Sequence, residues 1–110
     1  MTKEAIDTNI MLDAATATGA GGSRELHNAG NANATFQADG TTSSGAGSAT
    51  IDVEVSNNGV NWDTMGTITL TLATTTSSDG FASNASWKYV RGNVTAISGT
   101  GAAVSLTMGF

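Results

Sequence analysis

Two small groups of side chains have residue types that could do chemistry. Glu25 and His27 are separated by one residue, so on a strand they would face the same side, which is the minimum geometry of a metal pair. The chain has one histidine and no cysteine, so no second residue of those types can complete a ligand set. A histidine on the protein surface is therefore the favoured interpretation, and no metal ligand is predicted.

Asp52 and Glu54 form the second group, because two carboxylates on one strand face could imitate the acid and base of a glycosidase. The apolar groove and the flanking aromatic residues that such a reaction needs are missing from this stretch. The favoured interpretation is a solvated sheet face. Since no nucleophile comes with a partnered base either, the sequence predicts no enzyme and no catalytic residue.

Two glycine-rich runs, GAGGS near residue 19 and GAGS near residue 45, superficially resemble phosphate-binding loops. Neither run opens a helix, and neither ends in Lys-Ser or Lys-Thr, so the backbone geometry and helix dipole that hold phosphate are not implied. We interpret both runs as turns, and no cofactor is predicted.

Trp62, Trp87 and Tyr89 are the largest aromatic side chains in a chain with only 5% aromatic residues. On one sheet face they could form a stacking platform for a sugar. The favoured alternative is structural, because a tryptophan buries about 150–250 Å², which no smaller residue could replace in a core of Ala and Val. In this interpretation Trp62 covers the end of the core and holds its hairpin to the sheet, while Trp87 and Tyr89 lie where two strands meet.

Length and composition limit the class of protein. With 110 residues, the chain is predicted to be one domain over residues 1–110, with a core of small side chains. Charged residues make up 12% and the net charge is −5, which argues against nucleic acid, whose recognition needs clustered Lys and Arg. No apolar run approaches the ~20 residues of a membrane span, and the N-terminus lacks the apolar region of a signal peptide. We expect synthesis in a cytoplasm, no export through this sequence and no membrane partner.

Alternating apolar and polar residues predict strands. The clearest case is residues 49–56, where Ala49, Ile51, Val53 and Val55 alternate with polar residues before the turn sequence Asn-Asn-Gly. Further strands are predicted over 34–38, 67–72, 87–97 and 103–110, with mobile or connecting segments at 39–48 and 77–86. The pattern predicts an all-β fold, an antiparallel and jelly-roll-like β-sandwich, with residues 1–12 as an extended N-terminal arm.

Two stretches of the chain, VEVSNNGVNWDTMGTITL and WKYVRGNVTAISGTGAAVSLTMGF, resemble a pattern of small virion structural proteins of tailed bacteriophages. That pattern has a strand ending in Ser, an Asp/Asn-Gly turn, a Trp and a Thr-rich strand, and later a Tyr-Val-Arg strand with a Gly-rich turn. The residues that match are Ser56, Asn58, Gly59, Trp62, Met65, Gly66, Thr67, Tyr89, Val90, Arg91, Val94, Gly99 and Gly101. The resemblance covers roughly residues 48 to 110, and Met65 stands where Leu is more usual.

The resemblance implies a non-enzymatic virion structural protein, most simply a head decoration or cement protein on the capsid surface. Such a protein would be made in the host bacterial cytoplasm and would stabilise the head by binding across subunits of the major capsid protein. A tail or fibre component, or a carbohydrate-binding module that uses exposed aromatic side chains, is the alternative.

For such a protein, the N-terminal segment is expected to be an arm exchanged between subunits or laid on the capsid protein. Its contacts would come from Ile6, Ile10, Met11 and Leu12. An edge strand of the chain's own domain is an equally good alternative. Because an Ala-rich core of this size is marginal alone, a homo-oligomer is expected, a trimer first.

Overall fold

The computed structural model describes residues 10–25, 34–83 and 87–109 and is built from strands. Within these ranges the strands are β1 Ile10–Ala15, β2 Gly19–Ala20, β3 Arg24–Glu25, β4 Ala34–Thr41, β5 Ser44–Ser56, β6 Asp63–Leu72, β7 Ser77–Ser83, β8 Tyr89–Thr100 and β9 Ala103–Gly109. The described residues contain no helix, and hence none that could cross a membrane.

The strands form two antiparallel sheets that pack face to face. Sheet A has the order β1-β9-β4-β7, and sheet B has the order β2-β8-β5-β6, with β3 also paired to β8. The pairings are nested: β5 and β6 form a hairpin, β4 pairs with β7 and β9, and β5 pairs with β8. The predicted all-β antiparallel sandwich is confirmed, and the jelly-roll-like path stays a prediction.

The core lies between the sheets and follows the predicted alternation. The inward residues of β5 are Ala49, Ile51, Val53 and Val55, and all four are buried, whereas the residues between them are partly exposed. In β9 the same alternation buries Val104, Leu106 and Met108. Most buried side chains are aliphatic, as the composition indicates, and Phe36 contributes the one fully buried ring among the described residues.

Residues 10–12, the end of the predicted N-terminal arm, follow the edge-strand alternative, whereas residues 1–9 of that arm lie outside the described residues. Ile10–Ala15 forms β1, an edge strand of sheet A in which Leu12 pairs with Leu106 of β9. Met11 and Leu12 are buried in the core, so a partner could reach their side chains only if β1 left the sheet. Ile10 is half-buried, and Ile6 lies outside the described residues, so partner contacts through these two side chains stay predictions.

Two segments predicted as connections are instead ordered strands. Residues 39–48 complete β4 and begin β5, with only Thr42 and Ser43 between them, and residues 77–83 form β7. The turn is held by the hydroxyl of Thr42, which donates to the carbonyl of Gly45 at 2.6 Å, and by the N–H of Ser43, which donates to the carbonyl of Thr100 at 2.9 Å. The sequence prediction missed these strands because it relied on alternating apolar residues. Residues 39–48 and 77–83 are mostly small and polar, and backbone hydrogen bonds to neighbouring strands hold them in the sheets.

Candidate functional site

The loop between β5 and β6, residues 57–62, has a turn organised by two side chains. The buried hydroxyl of Ser56 accepts the N–H groups of Asn58 (3.2 Å) and Gly59 (2.9 Å) and donates to the Asn58 side-chain oxygen (3.0 Å). That oxygen also accepts the N–H groups of Val60 and Asn61, each at 2.9 Å. Gly59 has φ +74°, a conformation that glycine adopts without strain. The loop is wider than the predicted tight turn, and the N–H groups of residues 58–61 are bound within it.

Trp62, at the end of this loop, lies on the outer face of sheet B against Arg91 of β8. The Cζ atom of Arg91 is 4.2 Å from the centroid of the Trp62 ring. The Nε of Arg91 donates to Oε1 of Glu54 at 2.7 Å, and the amide of Asn93 donates to Oε2 of Glu54 at 3.0 Å. A cation stacked on an aromatic ring contributes about 0.5–1 kcal/mol at exposed sites and more when water is excluded. The four side chains form one connected group, here called the Trp62 cluster.

The tip of the loop also rests on β8. A Cβ atom at Gly59 would lie 3.7 Å from Cε2 of Tyr89, so the glycine sits directly on the tyrosine ring. The backbone N–H of Lys88 donates to the side-chain oxygen of Asn57 at 3.2 Å, and Lys88 Nζ lies 5.4 Å from the Tyr89 centroid. The two stretches that carry the virion-protein resemblance therefore contact each other where the β5–β6 loop meets the start of β8.

The aromatic residues occupy different surroundings from one another. Trp62 holds the hairpin to the sheet as predicted, but it does so through Arg91 on the outer face and not at the end of the core. Trp87 is half-buried and packs against the core, which agrees with its predicted structural role. Tyr89 is half-buried beneath the loop. The three rings do not form a single open platform.

The predicted carboxylate pair does share the outer face of sheet B. Asp52 Oδ1 accepts the hydroxyl of Thr67 at 2.8 Å, and Glu54 is bound by Arg91 and Asn93. The sequence did not reveal that Arg91 would reach Glu54, because the two residues are 37 positions apart and meet only through the β5–β8 pairing. The only signal in the sequence was the period of two within each strand. It places Arg91 on the same face as Tyr89, and Glu54 on the same face as Asp52.

The remaining candidates from the sequence do not assemble into a site within the described ranges. Glu25 is exposed on β3 opposite Tyr89, and His27 lies outside the described residues. No group of three His, Cys, Asp or Glu residues in the described part of the chain could hold a metal ion. The glycine runs lie in and beside strands, where the N–H of Gly21 donates to the carbonyl of Gly92 at 2.8 Å.

Together, the fold and the cluster define an all-β sandwich domain whose β5–β6 hairpin is fastened to the outside of one sheet. No family model matches the chain, and no curated protein sequence matches it. The fold is similar to that of the PBSX exported protein XepA, with a TM-score of 0.59 and 16% sequence identity. The similarity covers 91% of this chain and 36% of the XepA chain, so this chain spans about a third of that protein's length.

Proposed function

We propose that this chain is a non-enzymatic structural protein of a bacteriophage particle, and specifically a capsid decoration protein that binds across major capsid protein subunits. The observation that carries the proposal is the sandwich fold, which is similar to that of the phage PBSX exported protein XepA. The virion-protein pattern over residues 48–110 supports the same class.

The use of polar side chains on the outer face of sheet B favours a structural protein. Glu54 is bound by Arg91 and Asn93, and Asp52 is bound by Thr67. The pair of Glu54 and Arg91 is partly shielded, with 13% and 27% of the side chains exposed. These interactions stabilise the sheet and the hairpin. They support a structural role, and not a catalytic one, for the polar side chains of this face.

The loop fastened by the Trp62 cluster is the contact surface that we propose for the capsid. Its tip carries Val60, which is 76% exposed and is the exposed large apolar side chain among the described residues. Because Ser56 and Asn58 bind four of the loop's N–H groups and so hold its shape in advance, little conformational entropy is lost when the loop binds. Each copy then needs only a modest interface, since many copies act together on one particle.

The test compares heads and tails purified from the phage that encodes the chain. Labelled protein is mixed with each fraction, and the amount that sediments with the particles is measured. Binding to heads is expected, and Val60→Asp should weaken it by roughly tenfold, since burying a charge in an apolar contact is costly. Thr95→Asp, an exposed change on β8, is the matched control. Binding only to tails would reject the capsid role in favour of a tail component, and binding to neither would reject a virion role.

A carbohydrate-binding module is the second candidate, and the position of Trp62 favours it. The ring is half-buried on an outer sheet face beside Arg91, Glu54 and Asn93, and such planar polar groups next to an aromatic ring suit a sugar. The test is a tryptophan fluorescence titration with oligosaccharides of the host surface. A shift that Trp62→Ala abolishes and that Trp87→Phe retains would support this function, and no shift at saturating sugar would reject it.

A further inference from the structure

Most outer edges of the described sheets are short or irregular. An edge strand presents unpaired N–H and C=O groups, and folded proteins commonly blunt such edges with short strands, bulges or charges. β2 and β3 have two residues each, and β1 has register shifts on both sides of Leu12 in its pairing with β9. These strands offer a second chain little regular backbone to pair with.

β7, the other edge of sheet A, is protected by a carboxylate. Asp79 lies opposite the buried Ala38 of β4, and its Oδ1 accepts the N–H of Gly80 at 2.8 Å. The side chain therefore occupies a backbone donor of the edge strand and places negative charge beside it. A strand approaching this edge would have to displace or bury that charge.

β6, the edge of sheet B, lacks these protections over most of its length. From Gly66 to Leu72 it pairs with β5 in regular register and contains no charge and no proline. The Ser77 hydroxyl donates to the Thr71 carbonyl at 2.7 Å, which indicates that this carbonyl points away from β5. Because the groups of a strand alternate between its two sides, Thr67 and Thr69 also direct their N–H and C=O groups to the outer edge.

We propose that this edge pairs with β6 of a second copy of the chain, antiparallel about a two-fold axis at Ile68. In that register Thr67 lies opposite Thr69 of the second copy, and each such pair can exchange both backbone hydrogen bonds. Thr71, whose carbonyl already binds Ser77, is not needed for these central pairs. The pairing joins the two copies of sheet B into one continuous sheet.

A second copy suits this edge in charge and in side chains. Between Gly66 and Leu72 the strand itself carries no charge, and the neighbouring Asp52 carboxylate of β5 already accepts the Thr67 hydroxyl, so a second neutral β6 matches this edge. The axis at Ile68 also places the two Asp63 carboxylates at opposite ends of the paired strands, which limits repulsion between chains that each carry a net charge of −5. On the outer face, Thr67 and Thr69 would form cross-strand threonine pairs, which are favourable in antiparallel sheets.

This inference concerns the isolated protein and does not depend on the capsid proposal. It replaces the expected trimer with a two-fold dimer, because an antiparallel edge-to-edge ladder is complete with two copies. Failure to bind heads would leave the dimer intact, and a monomeric protein could still bind heads, so the two proposals can fail separately.

The first experiment measures mass in solution by light scattering over a range of concentrations. The full chain should approach twice its 11.0 kDa mass. The double variant Thr67→Lys with Thr69→Lys places like charges directly opposite each other, so its dissociation constant should rise by at least about tenfold. Ala96→Lys with Ser98→Lys adds the same charge to exposed positions of β8 and should leave the dimer unchanged. A wild-type monomer, a trimer, or equal behaviour of the two double variants would overturn the proposal.

The second experiment is a cross-link that reports the register. The chain has no cysteine, so Thr67→Cys protein mixed with Thr69→Cys protein offers one thiol on each copy. Opposite residues in a hydrogen-bonded antiparallel pair have Cα atoms about 5.5 Å apart, which suits a disulfide. Oxidation should yield the mixed dimer, and Thr67→Cys mixed with Ala96→Cys should yield none above background. Equal cross-linking in both mixtures would overturn the pairing at Ile68.

Discussion

The guanidinium of Arg91 lies over the indole ring of Trp62, with Cζ 4.2 Å from the ring centroid. This contact joins a loop residue to a central strand and is reinforced by the bond from Arg91 Nε to Glu54 at 2.7 Å. The hairpin is therefore held from outside the sandwich, by interactions that the core does not provide.

Replacing Trp62 with Ala should loosen this hairpin while the fold persists. The change removes the stacked cation and part of the burial on the sheet face, so the free energy of unfolding should fall by about 1–2 kcal/mol. Urea denaturation followed by circular dichroism measures the loss. Trp62→Phe keeps an aromatic face for Arg91 and should recover part of the stability. An equal loss of unfolding free energy in the two variants would show that stacking of Arg91 on an aromatic ring does not stabilise the hairpin.

Ser56→Ala should destabilise the loop more than the loss of one hydroxyl group would suggest. Ser56 is 1% exposed, and its hydroxyl accepts two N–H groups, which would lose their partner in the variant. Leaving buried donors unsatisfied costs about 1–3 kcal/mol. Ser48→Ala is the control, because its hydroxyl makes an exposed bond to Ser98, and its effect should stay within about 0.5 kcal/mol. Amide hydrogen exchange should also show faster exchange at Gly59 in the Ser56 variant alone.

Gly66→Ala should be destabilising because of a contact across the sandwich. A Cβ atom at residue 66 would lie 2.5 Å from Cζ of Phe81, whose ring packs on Phe36 with centroids 5.4 Å apart. Overpacking of this kind costs about 1–3 kcal/mol. Gly22→Ala, where an added Cβ meets nothing within 4 Å, is the control. In a double-mutant cycle, Phe81→Leu should reduce the cost of Gly66→Ala, and strict additivity would contradict the contact.

Leu12→Ala should lower the stability of the folded chain and not only weaken its assembly. Leu12 is 7% exposed in β1 and contacts the core beside Leu106, so its truncation should lower the free energy of unfolding by about 2–5 kcal/mol. Thermal or urea unfolding at several protein concentrations measures this effect. A variant that unfolds like the native protein but fails to associate would restore the arm interpretation for this segment.

The amino-acid sequence by itself determined the class of fold and which face of each strand is buried. Alternation in residues 49–56 and 103–108 is a local property with a period of two, so burial follows directly once the segments are extended. The prediction of no metal or catalytic set rests equally on residue types, which can be counted without a tertiary structure.

Only the tertiary structure decided which distant residues meet. Ala14 donates its N–H to the hydroxyl of Ser105, 91 positions away, and β1 thereby becomes part of sheet A instead of an arm. In the same way, the β5–β8 register brings Arg91 to Glu54, where it also stacks on Trp62, and the strand order leaves β6 as an edge. Periodicity carries no information on such pairings, because every strand of a sandwich has a compatible backbone and the choice depends on loops and on how all the strands pack together.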